Sequence, residues 1–228
     1  MKRSKLASLA LIFFCASSAL HAERTEEEVK QQVCSTLPSL HGWCTVEKAI
    51  SFIDLVLEVK PEICVEVGVF GGSSIFPVAS ALQFLGKGVV VAIDPWDKGE
   101  TIKNMDPEAA AAHVNWWSKV NFDRIYASYL GMVKMFGLEE QCITIRSTSE
   151  RAAPILNKID ILYLDGNHSE AGFTRDVQLY LPKVRSGGYI WINDTLWTEV
   201  QPAIDLLMEE CDAVKLIDNG NCILFRKR

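Results

Sequence analysis

The chain has 228 residues, of which 49% are hydrophobic and 23% charged, as is typical of a globular protein. This length suits one domain with a substantial core and is short for two. The formal net charge is −6 and no basic stripe runs along the chain, so we expect no nucleic-acid partner, because binding to phosphate backbones depends on clustered cations.

The first 22 residues have the pattern of an export signal. Lys2, Arg3 and Lys5 precede an apolar stretch over residues 6–20, and either Ala19 or Ala22 could precede a cleavage point. This stretch is shorter than the roughly 18 residues that a membrane span needs. We therefore predict a signal peptide at 1–22 and an exported protein, periplasmic or secreted. The alternative is a membrane anchor through residues 6–20, and no other membrane span is expected.

Cysteines give a second indication of the compartment. Six remain after residue 22, and an even number in an exported protein permits disulfides. Cys34 and Cys44 lie ten residues apart and could close a loop, so their pairing stays open. No Cys-x-x-Cys pair occurs, which argues against a zinc site built from cysteines.

From residue 62 onward, short apolar runs alternate with helical segments, after two helices predicted at Glu26–Val33 and Val46–Val59. Nearly continuous apolar runs are typical of parallel strands that are covered on both faces. The predicted strands are Ile63–Val67, Val89–Ile93, Cys142–Arg146, Ile159–Leu164 and Tyr189–Ile192. The predicted helical regions between them are Ser74–Leu85, Pro107–Phe136, Ser149–Asn157 and Ala171–Val184.

The end of the chain breaks this alternation. Ala213–Asp218 and Asn221–Phe225 read as two strands around Asn219-Gly220, a pair typical of tight hairpins, so these strands must be antiparallel. We predict a doubly wound, Rossmann-like α/β fold, whose mostly parallel seven-stranded sheet has one antiparallel strand in a C-terminal hairpin. One domain is expected over 23–228, with N-terminal helices at 23–61 and the sheet core at 62–228.

A glycine-rich turn follows the first predicted strand. Ligands of open α/β sheets bind at the carboxyl ends of strands, and glycines such as Gly68 and Gly72 allow close backbone approach. The spacing Glu-x-Gly-x-x-Gly-Gly differs from the Gly-x-Gly-x-x-Gly of dinucleotide folds, which disfavours a nicotinamide-dependent oxidoreductase. Glu66 before the first glycine suits a ligand that carries an ammonium group. The alternative is a tight turn without a ligand.

The second predicted strand ends in Ile93-Asp94-Pro95-Trp96. A carboxylate at this position can accept hydrogen bonds from both hydroxyls of a ribose, and Trp96 could pack on an apolar part of the same cofactor. The alternative for Asp94 is a capping role in the turn.

These residues resemble the first motifs of class I S-adenosylmethionine-dependent methyltransferases, in the catechol O-methyltransferase-like branch. The segments around Asp94, Trp116 and Asp165 are similar to bacterial macrolide-sugar O-methyltransferases. The resemblance covers the chain from Glu62 to its end and implies S-adenosylmethionine as cofactor. It also implies that Ser74 holds the carboxylate of the cofactor, and that Ser149 and Glu150 lie near the adenine.

Polar residues follow the fourth and fifth strands. Asp165, Asn193 and Asp194 would meet at the carboxyl edge of the sheet, and carboxylate and amide oxygens suit Mg²⁺ best among divalent cations. In the relatives, the residue three positions after the strand-four Asp is the general base, and here that residue is His168. The alternatives are a loop hydrogen bond for His168 and a helix cap for Asn193-Asp194. Catechol-type enzymes carry Asp before Asn, so the reversed order puts the metal geometry in question.

The predicted reaction is therefore metal-assisted O-methylation of a small-molecule hydroxyl. The segment Asp97–Asn121, with His113, Trp116 and Trp117, is expected to cover the active site, where its aromatic rings line an acceptor pocket or fix a helix. The rival hypothesis is an exported, catalytically degenerate methyltransferase fold that binds a ligand or partner, because S-adenosylmethionine is made in the cytosol. A homo-oligomer is left open.

Overall fold

A computed structural model describes residues 24–105, 111 and 115–228 of the chain. Eight α-helices have both ends in this part and are numbered along the chain: α1 Glu26–Thr36, α2 Val46–Val59, α3 Ile75–Leu85, α4 Lys98–Thr101, α5 Phe122–Met135, α6 Ser149–Ala152, α7 Glu170–Tyr180 and α8 Gln201–Glu210. The strands are β1 Ile63–Val67, β2 Val89–Asp94, β3 Cys142–Arg146, β4 Ile159–Leu164, β5 Val184–Asn193, β6 Cys211–Ile217 and β7 Cys222–Lys227. The predicted signal at 1–22 lies outside the described residues.

The seven strands form one sheet in the order β3-β2-β1-β4-β5-β7-β6. Strands β1 to β5 pair in parallel, while β7 runs antiparallel to both β5 and β6. The predicted fold class is therefore confirmed, including the single reversed strand. Strand order turns back between β1 and β4, and open α/β sheets bind ligands at such a switch point.

The C-terminal hairpin differs from its prediction in detail. Its strands close on the pair Ile217 and Cys222, and four residues connect them through a short 3-10 turn over Asp218–Gly220. The loop after β5 holds this connection, because the Thr195 hydroxyl donates to Gly220 O and Asn221 O accepts from Thr195 N. A two-residue tight turn was the wrong expectation because these tertiary hydrogen bonds fix a longer one.

Helix ends follow capping residues and prolines more closely than the hydrophobic periodicity indicates. The Asn121 side chain accepts from Arg124 N and starts α5. Residues 111 and 115–117 are also helical, but residues 118–121 are not, so the predicted helical region Pro107–Phe136 is interrupted before α5; residues 106–110 and 112–114 lie outside the described part. Pro154 and Pro182 are the second residues of two 3-10 turns, Ala153–Ile155 and Leu181–Lys183, which directly follow α6 and α7. Both predicted helices were too long because proline cannot donate the next helical hydrogen bond.

Helices cover both faces of the sheet, as its apolar strands require. Helices α1, α2, α3 and α5 contribute to the core on one face, and α6, α7 and α8 to the core on the other. Cys34, Cys44 and the other four cysteines of the described part are free thiols. Within residues 24–105, 111 and 115–228, no helix has the length and apolar character that crossing a membrane requires.

Candidate active site

A cavity of about 850 Å³ lies at the carboxyl edge of the sheet. The ends of β1, β2, β4 and β5 meet there, as expected for parallel strands of an open sheet. Nine of the residues predicted from sequence line this cavity: Gly68, Ser74, Asp94, Ser149, Glu150, Asp165, His168, Asn193 and Asp194. Three other predicted residues do not line the cavity: Glu66, Gly72 and Trp96.

The first glycine of the turn makes room for the neighbouring strand. Gly68 has φ +87°, and a Cβ atom on it would lie 2.1 Å from the backbone oxygen of Asp165. Gly72 has φ +86° and faces the other way, where a Cβ would contact Tyr129 and Met132 of α5. Gly68 therefore allows the turn and the end of β4 to meet, while Gly72 allows the turn to pack on a helix.

Glu66 is buried beneath the turn with one unsatisfied oxygen. Its Oε1 accepts a hydrogen bond from the Ser74 hydroxyl, whereas its Oε2 has no partner. Burial raises the pKa of Glu66 well above its ordinary value. An unpaired buried acceptor is costly, so this oxygen favours a ligand that brings a donor. The ammonium group of a methionine moiety fits that requirement.

Asp94 links β2 to the glycine turn. Its Oδ2 accepts from the amides of Val69 and Phe70, each at 2.9 Å, and its Oδ1 accepts from the amide of Trp96 at 2.6 Å. Burial raises the pKa of Asp94, and these amide donors oppose the increase. Since a carboxylate has about four acceptor positions, about one remains for a ligand hydroxyl.

Trp96 belongs to the core. Its side chain is 2% exposed and packs on Tyr126 and Tyr129, while its Nε1 donates to Phe70 O at 2.7 Å. The structure therefore corrects the expectation that this ring packs on a cofactor. Trp96 supports the turn from behind, because the chain bends at its positive φ of 45° and directs the ring inward.

The ends of β4 and β5 bring the predicted metal ligands together. Asp165 accepts hydrogen bonds from the Tyr163 hydroxyl (2.7 Å) and from Nδ2 of Asn193 (3.0 Å). Asp194, with φ +53°, accepts from Nδ2 of Asn221 at 3.2 Å. Each carboxylate is thus oriented by a neighbour, as ligands of a bound cation usually are.

His168 faces both carboxylates. Its Nε2 lies 3.2 Å from Oδ2 of Asp194 and 3.5 Å from Oδ1 of Asp165, but neither contact has the geometry of a hydrogen bond. Burial would lower the pKa of His168, yet the two carboxylates outweigh it and raise the pKa above its ordinary value. Atoms of Asp165, His168 and Asp194 that could bind a metal lie within 4.8 Å of one another.

A lysine of α2, missed in the sequence, reaches this centre. Lys48 is 4% exposed, and its Nζ donates to Oδ1 of Asn193 at 2.9 Å and lies 3.4 Å from Oδ2 of Asp218. Burial would lower the pKa of Lys48, but surrounding negative groups raise it above its ordinary value. Its position was a usable signal, because Lys48 shares a helix face with the buried Phe52 and Leu55.

The far end of the cavity contains a second missed residue. Asp176 of α7 is 5% exposed, its Oδ1 accepts from the Ser149 hydroxyl, and burial raises its pKa to about 7. Glu150 is exposed beside the Arg175 guanidinium, 3.5 Å away. The two residues predicted near an adenine therefore lie together, and Asp176 fixes one of them.

Comparison with known families identifies this arrangement. A family described as "Methyltransferase domain" matches residues 65–195, which is more than half of the chain and includes the turn, Asp94 and the metal-ligand candidates. The chain belongs to the methyltransferase domain family. The resemblance to class I S-adenosylmethionine-dependent methyltransferases is thereby confirmed, and with it the prediction of a methyltransferase.

Solved structures of other proteins have a similar fold, and one curated protein is similar in sequence. The O-methyltransferase NovP has a TM-score of 0.68 at 14% identity, covering 89% of this chain and 97% of NovP. TomG from Streptomyces achromogenes, solved with S-adenosylmethionine, has a TM-score of 0.57 at 14% identity, covering 89% and 90%. "Uncharacterized protein R132" of Acanthamoeba polyphaga mimivirus is 27% identical over 157 residues, which are 66% of this chain. The match spans 61% of that relative's length.

Aromatic rings form the rim of the methyltransferase cavity. Trp43 stacks on Phe70, with ring centroids 5.2 Å apart, and contacts Trp116 and Trp117. All four rings line the cavity, and Trp43 is 60% exposed. The predicted covering segment thus contributes Trp116 and Trp117 to this wall, while His113 lies outside the described residues.

Proposed function

We propose that the protein transfers the methyl group of S-adenosylmethionine to a hydroxyl oxygen of a small molecule, assisted by a divalent cation. The observation that carries this proposal is a single cavity that joins the turn above Glu66, whose buried Oε2 has no partner, to the Asp165, His168 and Asp194 cluster. A methyl donor and an acceptor oxygen need this proximity, because transfer requires the reacting atoms in line and in contact.

The cofactor is proposed to lie along the ends of β1 to β4. Glu66 would accept from its ammonium group, and Ser74 would turn its one hydroxyl donor from Oε1 of Glu66 to the carboxylate of the cofactor. Asp94 would bind the ribose with its remaining acceptor position, and Ser149 with Glu150 would flank the adenine. Glu66 lies beneath the turn and does not line the cavity, so this contact would need the turn to shift on binding; it would then give the unpaired Oε2 a donor and remove the cost of burying it.

The donor atoms of the reaction centre fit a divalent cation. Asp165 and Asp194 supply two negative charges, and hydrogen bonds from Tyr163 and Asn221 already orient them. A cation bound there would acidify an acceptor hydroxyl and position its oxygen. His168 is predicted to accept the hydroxyl proton, but its Nε2 also faces the cluster, and the same nitrogen could bind the cation.

The acceptor is proposed to be a small molecule with a flat or ring-shaped apolar face. Trp43 and Phe70 form a stacked pair at the cavity rim, and such rings bind phenols and the apolar faces of sugars. A macromolecular polyanion does not fit, because the net charge is −6. Hydroxyl oxygen as the methylated atom is supported by the O-methyltransferase names of NovP and TomG.

The test is a binding measurement followed by turnover. S-adenosylhomocysteine is titrated into the protein by calorimetry, and methyl transfer is then measured on a panel of phenols and glycosides with and without Mg²⁺ or Mn²⁺. We expect binding and a cation-dependent product. Absence of cofactor binding would refute the proposal, while binding without turnover on any acceptor would favour the degenerate alternative.

Export is part of the proposal and has its own test. The pattern of Lys2, Arg3 and Lys5 before the apolar stretch at 6–20 supports secretion. We expect the protein from its native host outside the cytosol, with an N-terminal sequence that starts near residue 23. An intact Met1 in a membrane fraction would instead favour the anchor.

A further inference from the structure

The orientation of the Asn193 side chain is decided by its neighbours. Oδ1 of Asn193 accepts from Nζ of Lys48 at 2.9 Å and from Sγ of Cys222 at 3.0 Å, while Nδ2 donates to Oδ1 of Asp165 at 3.0 Å. A lysine ammonium can only donate and a carboxylate can only accept. Both partners therefore require the same amide orientation, with the oxygen directed at Lys48.

This orientation removes Asn193 from the metal centre. An amide binds a hard cation through its oxygen, and here that oxygen is occupied by two donors on the side of Lys48. The group that Asn193 presents to Asp165 is its NH₂, which cannot bind a cation. The predicted oxygen set of Asp165, Asn193 and Asp194 is thus incomplete.

His168 supplies the missing donor. Its Nε2 is shielded from solvent, has no hydrogen bond, and lies 3.2 Å and 3.5 Å from oxygens of Asp194 and Asp165. The ring is held in place between Phe173 and Trp197, with centroids 5.5 Å and 5.2 Å away. A buried nitrogen fixed in front of two carboxylates has the placement of a metal ligand.

We propose that His168, Asp165 and Asp194 are the protein ligands of the cation and that Asn193 is not a ligand. The inference rests on the proposed metal-assisted function and deepens it. An imidazole ligand shifts the preference of the site from Mg²⁺ toward Mn²⁺, Co²⁺ or Zn²⁺. Since a lone pair bound to a cation cannot accept a proton, His168 is then not the general base, and the hydroxyl proton would leave to water after the cation has acidified the hydroxyl.

The experiment uses the full chain and Mn²⁺ alone, without cofactor or acceptor. Pulsed electron paramagnetic resonance of the Mn²⁺ complex is expected to show coupling to an imidazole ¹⁴N nucleus. The coupling should change to the ¹⁵N pattern after labelling of the histidines. Because the wild-type protein suffices, the result does not depend on any variant folding.

Variants then assign the nitrogen. His168→Ala should abolish the coupling and weaken Mn²⁺ binding roughly tenfold or more, since even outer-shell changes cost about 10- to 100-fold. Asn193→Ala should retain the coupling even though its Mn²⁺ affinity falls, because the amide of Asn193 only orients Asp165 from the outer shell, and the exposed His41→Ala should match wild type.

Three outcomes would overturn the inference: no Mn²⁺ binding, binding without nitrogen coupling, or a coupling that survives in His168→Ala. These failures are distinct from a failure of the proposed function, which is decided by the separate titration with S-adenosylhomocysteine. A protein that binds S-adenosylhomocysteine but not Mn²⁺ would remain a methyltransferase and would lack the proposed cation.

Discussion

Replacement of Glu66 by glutamine tests the proposed cofactor site most directly. Glutamine keeps the shape of the side chain, and burial favours its neutral amide, so Glu66→Gln should fold with unchanged stability. What the variant loses is the negative charge that the free Oε2 can offer to an ammonium group. The change therefore separates cofactor binding from folding.

The expected effect follows from one charge-assisted hydrogen bond. Such a bond contributes about 1.5 to 3 kcal/mol, and about 1.4 kcal/mol corresponds to a tenfold change in affinity. Glu66→Gln should therefore weaken binding of S-adenosylhomocysteine by about 10- to 150-fold. Calorimetry gives this ratio directly, with the exposed Glu139→Gln as a matched control that should bind like wild type.

Proton release provides an independent readout. Burial raises the pKa of Glu66 in the free protein, whereas a bound ammonium group would favour the charged carboxylate. Cofactor binding should then release a proton and strengthen as the pH rises through the raised pKa. Calorimetry in buffers of different ionisation enthalpy detects that proton. An affinity of Glu66→Gln within twofold of wild type, or the same proton release in the variant, would refute the reasoning.

Three further predictions concern the walls of the cavity. The folded-state pKa of Asp176 is raised from 3.8 to about 7, so the stability it confers is present below its ordinary pKa and is lost as the pH rises to about 7. Asp176→Asn should remove that loss, which is worth at most about 4 kcal/mol at about 1.4 kcal/mol per pKa unit. The free energy of unfolding is measured with urea at acidic and at alkaline pH; if the variant loses as much stability between them as the wild type, the prediction is wrong. Gly68→Ala should lower the free energy of unfolding by about 3 kcal/mol or more, from strain and backbone overlap, while Gly131→Ala in α5, where a Cβ meets nothing within 4 Å, should not destabilise. Trp43→Ala should raise the KM of an acceptor found in the panel about two- to tenfold and leave S-adenosylhomocysteine affinity unchanged; a parallel loss of both would contradict an acceptor role.

The order of elements could be predicted because it depends on local pattern. Nearly continuous apolar runs such as Ile159–Leu164 can bury their side chains only when both faces of the sheet are covered, and this requirement predicted a parallel sheet. The ends of the helices were harder to predict from the sequence. The boundaries at Asn121 and Pro182 depend on capping and on a missing amide donor, which outweigh hydrophobic periodicity over one turn.

The candidate site was predicted as a set of positions but not as a set of contacts. Spacing after strands placed Asp94, Asp165 and Asp194 at one sheet edge, since parallel strands end together. It could not show that Trp96 turns into the core, because that depends on one positive φ and on rings contributed by α5.

The sequence by itself determined the fold class and the carboxyl-edge location of the chemistry, because both follow from hydrophobic pattern and from residues adjacent to strands. Only the tertiary structure decided which atoms face one another. Lys48 lies 145 residues from Asn193 in the chain, yet its ammonium sets the orientation of the Asn193 amide. That orientation directs the NH₂ group of Asn193, rather than its oxygen, at Asp165. Side-chain orientation depends on neighbours that folding brings together, and a linear pattern contains no such distances.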